Sequence, residues 1–170
     1  MSLISRGLVC GAVFLGSISV WGAAWASDCT EAPGPAVDWE RCYLDGRDLS
    51  GKDLTGARLR DASFERTDLS KANLSGVTAV HVKFISTAMA AARLDDGNFA
   101  EADFTKADLQ GASLRNADLR RARFFKTNLS GADLTGAKTM GADMLNAELS
   151  GARWIDGQRI CAKGSIGQCD

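Results

Sequence analysis

The chain has 170 residues, of which 45% are hydrophobic and 24% charged, and its 20 basic and 21 acidic side chains give a formal net charge of −1. This length suits a single domain with a buried core, and the balanced charge lacks the strong field that drives binding to nucleic acid. The single histidine, His81, excludes a metal site built on two histidines. We therefore expect no metal, no cofactor and no enzymatic activity.

Residues 1–26 have the order of a cleavable secretory signal. Arg6 precedes an apolar run over residues 8–20, and Ala24-Trp25-Ala26 places small residues where signal peptidase requires them. The alternative is an uncleaved membrane anchor, but the run is short for a span of about 20 apolar residues. We expect cleavage after Ala26, a periplasmic or secreted protein, and no membrane span in the mature chain.

Residues 42–156 repeat with a period of five. The 23 consecutive pentads begin with CYLDG, RDLSG and KDLTG and end with ARWID. The central residue is large and apolar in all but two pentads, and the residue two positions earlier is most often alanine. The other positions are mostly polar or glycine, which suits tight turns. A period of five matches neither an α-helix nor a long strand and predicts a solenoid in which an inward pair is followed by a corner.

The order of the central residues indicates how many pentads form one coil. When residues 20 apart are aligned, four of the seven phenylalanines fall in one column: Leu44, Phe64, Phe84, Phe104, Phe124 and Met144. Coils of three or five pentads would scatter these aromatic side chains. The spacing therefore predicts a square coil of four pentads.

Unusual inward residues lead to local predictions. Phe99 is preceded by Gly97 where most pentads have alanine, which we expect to leave room for the ring. Three inward threonines share one column: Thr67, Thr87 and Thr127. Their hydroxyls are expected to bond to nearby backbone. Arg47 and Lys52 occupy inward positions of the first full coil and cannot stay buried unpaired, so that end should be frayed or covered.

Pentads such as Ala107-Asp108-Leu109, Ala117-Asp118-Leu119 and Ala132-Asp133-Leu134 resemble those of the pentapeptide-repeat family. The resemblance covers residues 42–156 and implies an all-β fold, a right-handed quadrilateral β-helix of about five to six coils. At a coil spacing of about 4.8 Å the rod is roughly 25–28 Å long. The expected segments are a signal peptide over 1–26, an N-terminal cap over 27–41, the β-helix over 42–156 and a C-terminal cap over 157–170.

Four cysteines remain after the expected cleavage, and we expect all of them to lie outside the interior of the repeat: Cys29, Cys42, Cys161 and Cys169. Three pairings are formally possible. The two ends of the rod are more than about 20 Å apart at this coil spacing, whereas a disulfide needs Cα atoms within about 7 Å. We therefore predict Cys29–Cys42 and Cys161–Cys169, which suits an oxidising compartment. The alternative of zinc or redox chemistry lacks a CxxC motif. Two tryptophans are expected on the end coils: Trp39 on the first and Trp154 on the last.

Aspartates precede many central residues and are predicted to bond to the turns: Asp48, Asp53, Asp68, Asp103, Asp108, Asp118, Asp133 and Asp143. A catalytic carboxylate pair would need a cleft, which a convex rod does not offer. His81 falls at an outward corner and is expected to be solvated. These residues therefore predict structural roles.

The outward residues are least polar along one side of the predicted rod. Four of them form a candidate partner surface: Val80, Ile85, Phe125 and Leu145. Basic residues border this set: Lys106, Arg120, Arg121, Arg123 and Lys126. A semi-apolar strip with a basic rim is typical of docking surfaces, and the alternative is repeat decay with ordinary exposed apolar residues.

Together these features predict an exported, non-enzymatic structural or protein-interaction module of the bacterial cell envelope. Its partner is expected to be a protein or envelope component and not nucleic acid, and a homodimer through an end or through the strip is compatible with the sequence. The resemblance also implies an alternative function, inhibition or protection of DNA gyrase by mimicry of duplex DNA. The export signal, the balanced charge and the tail QRICAKGSIGQCD, which has no helical period, argue against it.

Overall fold

The computed structural model describes residues 28–170, and this range contains β-bridges and turns but no helix. Accordingly, no helix within it is long and apolar enough to cross a membrane. The predicted signal peptide over residues 1–26 lies outside the described residues.

Parallel β-bridges define the coil. Every fifth residue from Asp38 to Arg153 takes part in this ladder, in which each bridge joins residues 20 apart. Each bridge is a single residue between two turns, because one side of the coil is too short for a longer strand. The constant offset of 20 confirms the predicted square coil of four pentads and the β-helix architecture.

Each corner is a turn closed by main-chain hydrogen bonding. At a representative corner the Ala112 N–H donates to the Leu109 carbonyl at 3.0 Å, and Gly111 between them has a φ of 64°. A positive φ at the third residue is the requirement of a type II turn, which glycine meets without strain. Lys126 takes the same conformation at its corner, with a φ of 56°. The repeated use of glycine at this pentad position therefore follows from the turn.

The polar residue before each central residue stabilises the following corner. Asp53 accepts hydrogen bonds from the Thr55 N–H at 3.0 Å and from the Thr55 hydroxyl at 2.5 Å. Asp133 makes the equivalent pair of bonds with Thr135, and Asn73 does so with Ser75. The predicted structural role of these side chains is confirmed.

Aromatic stacking fills the interior along the predicted column. The ring centroids of Phe64 and Phe84 lie 5.3 Å apart, those of Phe84 and Phe104 5.2 Å, and those of Phe104 and Phe124 5.0 Å. Phe99 packs against this column at 6.2 Å from Phe84 and 5.9 Å from Phe104. The four-pentad register therefore brings all five rings into one aromatic cluster.

The unusual inward residues behave as predicted. A Cβ at Gly97 would overlap Cε2 of Phe99 and lie 3.0 Å from its Cζ, so the glycine makes room for the ring. The inward threonine hydroxyls donate to interior carbonyls: Thr67 to Leu44 at 2.9 Å, Thr87 to Phe64 at 2.7 Å and Thr127 to Phe104 at 2.6 Å. Arg47 and Lys52 are exposed, because no further coil covers these inward positions.

Both predicted disulfides are present. Cys29 pairs with Cys42 at a Cα–Cα distance of 5.4 Å, and Cys161 pairs with Cys169 at 4.8 Å. The expectation that all four cysteines lie outside the interior is wrong, because Cys42 and Cys161 are buried in the core. Each disulfide therefore anchors a terminal segment directly to the apolar interior.

The two ends of the rod are closed differently. At the N-terminal end the Trp39 ring is fully buried, 6.4 Å from Phe64, as predicted. At the other end the chain reverses and pairs antiparallel with the last coil, through the bridges Glu148–Ile166 and Arg153–Ile160. This reversal determines which part of the last coil is covered.

Candidate functional site

The structure places the four residues of the candidate partner surface on two neighbouring corners. Ile85, Phe125 and Leu145 lie on one corner, with Thr105 between the first two, whereas Val80 lies on the preceding corner. Leu145 is the most open of the four, with 59% of its surface exposed, and the other three are half-buried. The three-residue column forms the corner strip, to which Val80 is a neighbour.

The basic residues around the corner strip fall into two classes. The three arginines are paired with carboxylates: Arg120 with Asp118 at 2.6 Å, Arg121 with Glu101 at 3.4 Å and Arg123 with Asp103 at 3.3 Å. Lys106 and Lys126 form no ion pair within residues 28–170. The Lys126 Nζ lies 5.3 Å from the centroid of the Phe125 ring. The lysines therefore supply the uncompensated positive charge beside the strip.

Arg120 and Asp118 are held together by a two-pronged contact. The guanidinium donates to both carboxylate oxygens, and this hydrogen bonding lowers the pKa of Asp118 and raises that of Arg120. Such bidentate pairing orients the arginine along the rod surface. Arg120 is consequently less free than the lysines to bind another molecule.

His81 lies between two carboxylates, which sequence reasoning missed. Its Nδ1 is 3.2 Å from Asp61 and its Nε2 is 3.3 Å from Glu101. The side chain is half-exposed, so it contacts solvent as expected but also has two carboxylate neighbours. Residues 61, 81, 101 and 121 are each 20 apart, so the coil period already contained the signal for this ladder. Exposed side-chain contacts of this kind contribute little to stability.

Among residues 28–170, no group of three or more His, Cys, Asp and Glu side chains is arranged to hold a metal ion. The aspartates that precede central residues face their own turns. Hydrogen bonds from Ser50 lower the pKa of Asp48, and hydrogen bonds from Thr55 lower that of Asp53. These carboxylates therefore favour the charged, hydrogen-bonded form that the turns require.

A groove at the C-terminal end was also missed, because a convex rod was expected to have no cleft. It has a volume of about 570 Å³ and lies between the last coil and the reversed chain. Ala142, Met144 and Trp154 line its apolar part, and Arg159 contributes a charged side chain. Trp154 thus packs on the last coil as predicted but leaves the interior partly open.

Comparison with known proteins agrees with the fold. A model of pentapeptide repeats matches residues 40–76, 84–121, 102–138 and 117–153. HetL, a pentapeptide repeat protein involved in heterocyst differentiation regulation from the cyanobacterium Nostoc sp. strain PCC 7120, is 28% identical, with a TM-score of 0.55. That match covers 72% of this chain and 64% of HetL.

QnrB1, a plasmid-mediated fluoroquinolone resistance protein, is 23% identical, with a TM-score of 0.53, over 68% of this chain and 61% of QnrB1. The chain thus spans less than two thirds of each of these two proteins. No curated protein sequence matches it. Because the family matches cover more than half of the chain, and the structure shows the same repeating coil, the chain belongs to the pentapeptide-repeat family.

Proposed function

We propose that the chain is an exported, non-enzymatic pentapeptide-repeat protein that acts as a structural or protein-interaction module in the bacterial cell envelope. The observation that carries this proposal is the corner strip, where Phe125 and Leu145 meet solvent beside two lysines that form no ion pair with any residue of 28–170. A β-helix is rigid, so the strip is held ready for a partner without a cost of ordering. The lysines favour an acidic protein or envelope component over a basic surface, and the balanced net charge of −1 lacks the field that drives binding to nucleic acid.

The two disulfides support a location outside the cytoplasm. Disulfides form and persist in oxidising compartments and are rare where thiols are kept reduced. Each of them closes one end of the rod, where terminal coils would otherwise expose edges to other chains. We propose that the mature protein is periplasmic or secreted and begins at Ser27.

Export and oxidation are tested together by measuring the intact mass of the native protein under non-reducing conditions after cell fractionation. The expected form begins at Ser27 and is four hydrogens lighter than the reduced chain. A full-length, reduced form in the cytoplasm would contradict the proposal. The gyrase alternative gains no specific support, because the likeness to QnrB1 at 23% identity concerns the fold alone.

The corner strip is tested by placing a photo-reactive phenylalanine analogue at Phe125 in intact cells. We expect one discrete cross-linked partner, and we expect the cross-link to disappear when Ile85→Ser and Leu145→Ser are added. The matched control carries the analogue at Ile155, which lies on the opposite corner of the rod. Cross-linking that is equal at both positions, or that survives the two serine changes, would remove the strip as the partner surface.

A further inference from the structure

The last coil has an open β-edge on part of its circumference. One coil earlier, the Leu119 N–H donates to the Lys138 carbonyl at 2.9 Å and the Phe124 N–H donates to the Asp143 carbonyl at 2.7 Å. The equivalent N–H groups of Thr139 and Met144 have no partner within the part of the chain that the structure describes. In earlier coils these N–H groups donate to the following coil, and here no described residue takes that place.

The unpaired stretch offers both donors and acceptors. The Arg121 N–H donates to the Met140 carbonyl at 3.1 Å, and the Ala122 carbonyl accepts from the Asp143 N–H at 2.9 Å. One coil on, neither the Gly141 N–H nor the Ala142 carbonyl has a partner in the described range. The open edge, residues 139–144, can thus both donate to and accept from an added strand.

The C-terminal segment covers residues 147–154 of the last coil and stops short of this edge. The Leu149 N–H donates to the Ser165 carbonyl and the Gly151 N–H to the Cys161 carbonyl, both at 2.9 Å. The Cys161–Cys169 disulfide ties the reversed segment together. Because the chain runs back antiparallel over residues 147–154, it cannot also cover the open edge.

The floor beneath the open edge is apolar and incompletely covered. Ala122 and Phe124 are fully buried, whereas their equivalents Ala142 and Met144 are only partly buried. These two side chains line the groove of about 570 Å³, together with Arg159 at its charged part. The Arg159 Nε lies 3.8 Å from an Asp156 carboxylate oxygen, which is too far for a hydrogen bond, so its guanidinium can still donate to an acidic group. Edge and groove therefore combine main-chain hydrogen bonding, apolar surface and one positive charge.

We propose that the open edge and its groove bind an extended peptide segment of another protein, which adds as a β-strand to residues 139–144. An apolar side chain of this segment enters the groove, and an acidic group lies beside Arg159. Added strands gain affinity from main-chain hydrogen bonds and specificity from side-chain pockets. The site is separate from the corner strip, with which it shares only Leu145.

Charge favours such a peptide over a second copy of this chain. Self-pairing would bring two grooves together that carry the same charged lining residue, Arg159. Like charges across an interface oppose association, whereas an acidic partner complements the arginine. The proposed occupant is therefore an acidic, apolar segment in extended conformation.

The test uses a synthetic hexapeptide of alternating glutamate and leucine, acetylated and amidated at its ends, titrated into the oxidised protein and followed by isothermal titration calorimetry. We expect saturable binding that weakens at least tenfold when the leucine amides are N-methylated, since the methyl groups block strand pairing. A peptide with glutamine in place of glutamate is expected to be weakened to the same degree. Hydrogen exchange of the Gly141 and Met144 amides should slow at least tenfold in the complex.

Variants of the protein locate the site. Ala142→Trp fills the groove and should abolish binding, and Arg159→Gln should lower the affinity for the glutamate peptide only. Lys163→Gln, a change of another exposed cation in the same terminal segment, is the matched control. The Phe125→Ser variant should bind the hexapeptide like the unmodified protein, so that this test is independent of the corner strip. Thermal melting verifies that each variant is folded.

Three outcomes would overturn the proposal. The first is the absence of saturable binding by the hexapeptide. The second is equal binding of the N-methylated peptide, which would mean that the main chain of the edge is not used. The third is slow exchange at Met144 in the free protein that depends on protein concentration, which would assign the edge to a second copy of the chain.

Discussion

The packing of Phe99 against Gly97 leads to a quantitative prediction about the interior. A Cβ at position 97 would overlap the Phe99 ring, and that ring cannot move away because Phe84 and Phe104 pack against it at 6.2 and 5.9 Å. Overpacking of a core typically costs about 1–3 kcal/mol. Gly97→Ala should therefore lower the free energy of unfolding by about 2 kcal/mol.

The second half of the experiment restores the usual pentad. Phe99→Leu alone leaves a void and should cost about 1–2 kcal/mol. The double variant Gly97→Ala/Phe99→Leu recreates the alanine–leucine pair found one coil later at Ala117 and Leu119. It should lie within about 1 kcal/mol of the unmodified protein, which corresponds to a favourable coupling of at least about 2 kcal/mol between the two sites.

Urea denaturation followed by circular dichroism measures the free energy of unfolding of the oxidised unmodified protein, of the two single variants and of the double variant. Strict additivity of the two single changes would refute the steric explanation. Little or no cost for Gly97→Ala would do so as well, because it would show that the ring has room to move.

Three further predictions concern the hydrogen bonds, the charges and the disulfide. Thr87→Val removes the hydroxyl that donates to the Phe64 carbonyl and should cost about 0.5–1.5 kcal/mol; Thr78→Val, on the outer surface, is the control and should change little. The pKa of Asp53 is lowered by Thr55, so its contribution to stability is present above the unfolded value of about 3.9 and is lost as the pH falls through the folded value. Asp53→Asn keeps an acceptor without this titration and should reduce the drop in melting temperature between pH 5 and 3; an unchanged drop would contradict the assignment. The double change Cys161→Ser/Cys169→Ser opens a short loop and should lower the free energy of unfolding by about 2–3 kcal/mol. Amide exchange at Gly151 should become faster, and unchanged exchange would show that the disulfide is not needed to hold the reversed segment in place.

Sequence reasoning works well in the interior because every coil repeats the same contacts. Phe84 meets Phe64 below it and Phe104 above it, and all three are identified by counting 20 residues. The turn chemistry is equally local, since Asp53 bonds to Thr55 two positions away. The same counting could have found the partners of His81, which lie 20 residues before and after it.

The structure of the two ends of the rod could not be predicted from the sequence, because the repeat stops there. Cys42 belongs to the interior although it pairs with a cysteine outside the repeat, and no periodicity indicates that the last residues run back antiparallel over the final coil. The direction of that reversal depends on packing between segments without a common period. Because the reversed segment covers another part of the last coil, the N–H groups of Thr139 and Met144 find no partner within residues 28–170.

The amino-acid sequence by itself thus determined the four-sided coil, its aromatic column and the pairing of the four cysteines that follow residue 26. A period of five with a fixed inward pair allows only one regular way to bury these side chains, and the separated ends of the rod permit only one pairing of the cysteines. The tertiary structure alone decided which part of the last coil stays open, the groove beneath it and the burial of Cys42 and Cys161. These features arise where non-repeating chain packs on the last repeats, and such packing depends on three-dimensional shape that no spacing in the sequence encodes.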